Sequence, residues 1–131
     1  MILLCRLGEG MVHKGKWTLP GGGQNFGETL EQTVAREVLE ETGFTVHVGS
    51  LVSHGSVIWQ APEKDIHSFQ FLFSATVRSG EITHEIGGST DHAAWVELES
   101  ISCDNAVDIV LRAKEIATLP SLNPGVDHYS G

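Results

Sequence analysis

Gly22-Gly23-Gln24-Asn25-Phe26-Gly27-Glu28-Thr29-Leu30-Glu31-Gln32-Thr33-Val34-Ala35-Arg36-Glu37-Val38-Leu39-Glu40-Glu41-Thr42-Gly43-Phe44 is the stretch on which the reading turns. It opens on glycines, runs into a helix over 29–42 and leaves that helix at a glycine. Thr29 and Gln32 have the spacing of a capping box at the helix start, and Gly43 suits the exit. At 100° per residue, Glu37 and Glu41 lie roughly 40° apart and Glu40 about 60° to the other side of Glu37. Three carboxylates therefore share one arc, while Val34, Ala35, Val38 and Leu39 occupy the neighbouring arc and can face a core.

Like charges at i,i+4 weaken a helix by a few tenths of a kcal/mol, so the Glu37/Glu41 pair calls for compensation. An arbitrary helix with three glutamates is ordinarily a solvated acidic face. The surrounding residues favour a hard divalent cation instead, magnesium or manganese rather than zinc. Gly21, Gly22 and Gly23 let the backbone turn sharply before the helix and expose carbonyls to a metal or amides to a phosphate. Arg36 can hold a neighbouring carboxylate in a bidentate pair.

Outward from this stretch, the pattern predicts strands over 1–7 and 16–19. A further strand runs over 44–55, with 57–59 as an extension. Others follow over 68–77, with Phe69, Phe71 and Phe73 on one face, and over 93–98. Residues 61–65 and 79–90 read as loops. A last helix, capped by Asp104, carries the stripe Val107, Val110, Leu111 and Ala117 and ends at Pro120. Strands, helix, strands, helix make an α+β chain, a sheet with helices on its faces. The domain is expected over 1–120, with 121–131 a loose tail. Ile2 to Cys5 are four apolar residues in a row, as in a strand buried on both faces. Such a strand needs two neighbours, and only one is evident, either 17–19 or 71–75. Its other edge is expected to be covered by a segment before Met1, by the tail around Val126–Tyr129, or by a second subunit, which would make a homodimer.

Eight basic against seventeen acidic residues give a net charge of −9 over 131 residues. That argues against a nucleic-acid polymer as partner, which needs clustered Lys and Arg. It leaves room for a small phosphorylated ligand reached through cations. The seven histidines make neither an HxH nor an HExxH pair, so zinc has no support. Cys5 and Cys103 allow one disulfide and no framework. No signal peptide or membrane span is visible, and the expected compartment is the cytoplasm.

Residues 22–44 resemble the Nudix box, GX5EX7REUXEEXGU with U a bulky apolar residue, at every specified position. Trp17 to Gly22 resemble the strand and turn that enter the box, Ile2 to Arg6 the strand before it, and Asp91 to Leu98 a late strand. The resemblance implies the Nudix fold, a mixed β-sheet sandwiched between helices. It implies a metal-dependent pyrophosphohydrolase cleaving a phosphoanhydride bond in a nucleoside triphosphate or nucleoside diphosphate derivative. The alternative is a nucleotide-sensing module without catalysis, although such modules usually lose a box glutamate.

It also implies roles for single residues. Glu37, Glu40 and Glu41, with the carbonyl of Gly21, would hold Mg2+, or Mn2+ in its place. Arg36 would orient a carboxylate. Gly22, Glu28 and Gly43 would shape the box. Arg6 and Lys16 would meet phosphates, and Trp59 would stack on a base. The general base is Glu37, or a later acid: Glu85 first, then Glu81 and Asp91. The SQPWPFPxS motif of NADH-cleaving members is absent. Pro62, eighteen residues past Phe44, stands slightly beyond the place where ADP-ribose-cleaving members often carry a proline.

Overall fold

A computed structural model describes residues 1–60 and 62–119. The elements in chain order are β1 (Ile2–Leu7), β2 (Trp17–Thr18), α1 (Leu30–Thr42), β3 (Phe44–Gln60), β4 (Asp65–Gly80), β5 (Thr90–Val96) and α2 (Asp108–Thr118), with a short 3-10 turn at Leu98–Ser100 before α2. The α+β class holds. The proposed stop at Pro120, the tail 121–131 with its covering role, and Ala61 of the predicted loop lie outside the described residues.

β1 lies between two layers of helix, and strand alternation decides which side chain faces which layer. Leu4 is fully buried with Ile101, Ala106 and Val110, so its face packs on α2. Cys5, also fully buried, points the other way, against Glu41 of α1. On the β2 side only Cys5 and Arg6 are paired, so the covering expected for the Ile2–Leu4 part of that edge is not tested by the described residues. The strand pairs antiparallel with β2 at Cys5 and Arg6, and with β5 along its whole length. The second neighbour is the late strand, a long-range partner that local pattern does not reveal.

All strand ladders among the described residues are antiparallel. They form two sheets, β2-β1-β5 and β3-β4. The one parallel pairing is an isolated bridge between Trp17 and Ala106. β3 follows the predicted strand and its extension closely, while β4 runs three residues further at each end than its pattern suggested, in a ladder from Phe44–Gly80 to Gln60–Asp65 with three irregularities. The expected alignment of three phenylalanines is not uniformly core-forming: Phe69 is 68 % exposed and Phe71 44 %, whereas Phe73 is half-buried.

The helix ends explain their own positions. Thr29 caps α1 and the reciprocal Thr29/Gln32 bonds both form. At the other end Gly43 takes φ 83° and donates its N–H to the Leu39 carbonyl. A Cβ there would collide with the Glu81 carbonyl, so the residue serves both the turn and the close packing of the β4 exit. Asp104 is not the cap of α2. The 102–105 segment folds first into a turn in which Asn105 Oδ1 accepts from the Ser102 N–H and Asn105 Nδ2 donates to the Ser100 carbonyl. The helix consequently begins later, after Val107.

Candidate metal-binding hydrolase site

The site is the junction between the Gly21–Gly23 loop and α1. Arg36 organises it. Its Nε donates to Glu28 Oε2 at 2.7 Å and one terminal nitrogen to Glu28 Oε1 at 3.0 Å, the bidentate geometry of a strong charged pair. The same guanidinium reaches the Gly23 carbonyl at 2.9 Å and Glu37 Oε1 at 2.8 Å, with Glu40 Oε2 at 3.4 Å. One side chain thus ties the loop, the entry to the helix and the carboxylate arc together. Glu28 also accepts from the Asn25 N–H and the Thr33 hydroxyl. Arg36 foremost, then the Asn25 N–H, hold its carboxyl down at about 2. Glu28 in turn raises the proton affinity of Arg36 still further.

Glu41 has a different environment. It is 2 % exposed and accepts one hydrogen bond from the Gly21 N–H at 3.1 Å. Burial pushes its carboxyl up to about 8, against the lowering effect of that bond; Glu37 adds to the rise by charge and by a hydrogen bond, and Glu85 adds by charge. The charge on Glu37 thus opposes ionisation of Glu41. Gly22 permits the approach of Glu37, since a Cβ there would sit 2.6 Å from Glu37 Oε1.

Glu85 is brought in from the loop between β4 and β5. Its charge acts on both Glu41 and Cys5, and its side chain folds over Gly88, where a Cβ would overlap its carboxylate. The same loop supplies His84, whose Nδ1 accepts from the Ala93 N–H and whose ring stacks on His92 at 4.3 Å. Burial, then the charges of His84 and Arg6, lower the proton affinity of His92.

Gly21, Gly22, Glu28, Arg36, Glu37, Glu40, Glu41 and Glu85 are therefore gathered. Three other expected residues are not. Arg6 shares the β1 face of Leu4 rather than that of Cys5 and is ion-paired with Asp91 at 2.9 Å. Lys16 donates to the Cys103 carbonyl at 3.2 Å. Trp59 stands near the tip of the β3–β4 ribbon opposite Ile66, 47 % exposed. Cys5 was missed as part of the site. In sequence it is one of an apolar run, and only the register places it on Glu41. Cys5 and Cys103 are both free, one buried and one exposed, so the disulfide that the sequence allowed is not formed.

Among the described residues, no three Asp, Glu, His or Cys side chains already stand in ligating geometry. The donor chemistry nonetheless fits a hard cation. Two carboxyl groups are held together, burial disfavours the charge on Glu41, Arg36 reaches only Glu37 of the two, and the oxygen donors suit magnesium.

A NUDIX domain family model matches residues 1–117. The chain belongs to the Nudix family. Over 90 residues it is 33 % identical to an ADP-ribose pyrophosphatase of Methanocaldococcus jannaschii, covering 67 % of this chain and 50 % of that protein. Over 87 residues it is 38 % identical to the NAD-capped RNA hydrolase NudC of Vibrio cholerae, covering 66 % of this chain and 30 % of that one. The chain thus spans half or less of the length of these curated relatives. Among solved structures, a NUDIX hydrolase from Nitrosomonas europaea superimposes with a TM-score of 0.64 at 26 % identity, over 88 % of this chain and 60 % of that one. The Nudix box of this chain is the Gly22–Phe44 segment whose geometry is given above. No helix among the described residues is long and apolar enough to cross a membrane.

Proposed function

We propose that this Nudix chain hydrolyses a phosphoanhydride bond in a nucleoside triphosphate or nucleoside diphosphate derivative, with Mg2+ as cofactor and Mn2+ as a substitute. The observation that carries the reading is buried Glu41 with Glu37 beside Gly21, two carboxyl groups whose joint ionisation becomes favourable once a cation shares them. Glu37, Glu40, Glu41 and the Gly21 carbonyl would hold the ion. A bound magnesium ion would neutralise phosphate charge and acidify water.

The chain's own residues do the rest. Arg36 fixes Glu37 and, through Glu28 and Gly23, the loop on which Gly21 sits. Glu41, sealed from water and hydrogen-bonded to the Gly21 N–H, locks the loop to the helix. Glu85 accepts no hydrogen bond from the described residues, so its carboxylate is available to take a proton from the attacking water. It is the base we assign, ahead of Glu37, which Arg36 already engages. Glu81 and Asp91 are weaker candidates, and Asp91 is occupied by Arg6.

The relatives are an ADP-ribose pyrophosphatase and NAD-capped RNA hydrolases, which supports a nucleoside diphosphate joined to a second group. The net charge of −9 favours the small-molecule end of that range over a polymer. The alternative, a nucleotide-binding module without catalysis, would keep binding and show no turnover.

The test is a panel of nucleoside triphosphates, ADP-ribose, nucleotide sugars and dinucleoside polyphosphates, assayed with magnesium and with chelator. Magnesium-dependent release of a mononucleotide or phosphate supports hydrolysis. Turnover that survives exhaustive chelation sinks the metal reading, and binding without turnover supports the alternative. Glu85→Gln is expected to lower kcat by about a hundredfold with KM little changed, the signature of a lost base. An unchanged kcat would return the role to Glu37.

A further inference from the structure

The carboxylate assigned as base stands on a loop with little backbone support. At one end the Thr83 N–H donates to the Thr42 carbonyl at the close of α1, at 2.8 Å. At the other the Ser89 carbonyl accepts from the Gly8 N–H, at 3.0 Å. Between these anchors, residues 84–88 make no backbone hydrogen bond among the described residues. Gly87, at φ 79°, and Gly88 add conformational freedom. Glu85 is nevertheless turned inward: it is half-buried, whereas His84 and residues 86–89 are exposed. Its charge is felt at Glu41 and Cys5. A general base must be held in one place to be effective, so something other than the loop backbone fixes this one.

His84 supplies that anchor. β5 is an outer strand of its sheet, so the amides on its free edge have no ladder partner. Ala93 is 2 % exposed, and its N–H is met by His84 Nδ1 at 3.0 Å. A buried N–H left unpaired is costly, which ties the ring to that one place. The bond also sets the tautomer: a nitrogen that accepts carries no proton, so the neutral ring keeps its proton on Nε2. The face of the ring is constrained as well, stacked on His92 at 4.3 Å and 15°. His92 in turn stands against Trp17 of β2, with ring centroids 6.4 Å apart. Ring edge and ring face are thus both held by β5, one residue before Glu85.

We propose that His84 is a positioning residue for Glu85: bonded to the Ala93 N–H and stacked on His92, it pins the loop to the free edge of β5 and so aims the adjacent carboxylate into the site. The inference rests on Glu85 being the base, and goes beyond it by naming what holds that base. His84 acts only through its neighbour.

The test compares His84→Ala, which removes the acceptor, with His84→Asn, whose Oδ1 can accept at nearly the same reach as Nδ1. Kinetics are measured in magnesium on the best substrate of the panel. His84→Ala should lower kcat at least about tenfold with KM within about twofold, and His84→Asn should restore most of the loss. In a Glu85→Gln background, His84→Ala should cost less than about twofold, because the group it positions is already gone. An undiminished tenfold loss in that background overturns the proposal. If Glu85→Gln is impaired and His84→Ala is not, the proposal fails while the base assignment stands. If Glu85→Gln turns over normally, the base assignment fails and takes this proposal with it. Amide exchange tests the anchor without turnover. Ala93 should exchange at least about tenfold faster in His84→Ala and not in His84→Asn, with Leu4 unchanged in both. Equal exchange at Ala93 in wild type and His84→Ala overturns the proposal.

Discussion

Glu41→Gln is expected to stabilise the metal-free protein at alkaline pH, and the size of the effect follows from burial. The folded carboxyl titrates at about 8 against an ordinary value of 4.5. Between these values the folded state binds a proton that the unfolded state has lost. Stability therefore falls as pH rises through this window. If Glu41 titrated alone the loss would approach about 5 kcal/mol. Because it shares the site with Glu37, about 2–4 kcal/mol is the expected loss between pH 5 and pH 9.

Glutamine keeps the acceptor for the Gly21 N–H and cannot ionise, so the variant should lose most of that decline. The assay is urea denaturation of both proteins in chelator at pH 5.5, 7 and 9. His92 works in the opposite direction. Its folded proton affinity is depressed, so it adds stability as pH rises toward the ordinary histidine value, but equally in both proteins. Glu28, held down at about 2, contributes stability that is lost only below pH 4.5. Saturating magnesium should flatten the wild-type curve. Parallel curves for wild type and Glu41→Gln in chelator would refute the reasoning, since Glu41 would then not be the buried charge.

The same Glu41→Gln change should lower turnover by about a hundredfold or more, while Glu31→Gln, a helix glutamate outside the arc, should leave it unchanged; steady-state kinetics in magnesium decide this. Gly22→Ala should displace Glu37, because the new Cβ would fall 2.6 Å from its Oε1. A loss of at least about tenfold in kcat with a near-native melting temperature is expected, and unaltered kcat would show that the approach is not required. Cys103, exposed, should react with a thiol reagent within minutes. Cys5 should react only on unfolding, since burial first and then the charge of Glu41 push its proton affinity well up. Two rapidly titrating thiols in the native protein would contradict the packing of β1 on α1.

The sequence by itself determined the parts of this protein governed by short-range geometry. Helical spacing alone put Glu37, Glu40 and Glu41 on one arc. Thr29 and Gln32 meet across one turn, and Gly43 ends the helix because only a residue without Cβ takes that φ easily. The family resemblance rests on the same local pattern. Tertiary structure decided whatever depends on register and on partners distant in the chain. The run Ile2–Cys5 reads as a strand buried on both faces, but its pairing along β5 is visible only in the fold. That pairing, with the packing of α1 and α2, turns Cys5 toward Glu41 and Arg6 toward Asp91, since a strand alternates its faces every residue. Trp59 looked available for a base, but the long β3–β4 ladder carries it to the ribbon tip. Glu85, by contrast, lies 44 positions beyond Glu41 in the chain and joins the site because the β4–β5 loop crosses it. Burial of Glu41 is decided at this level too, and it takes one carboxyl group of an acidic helix face out of water.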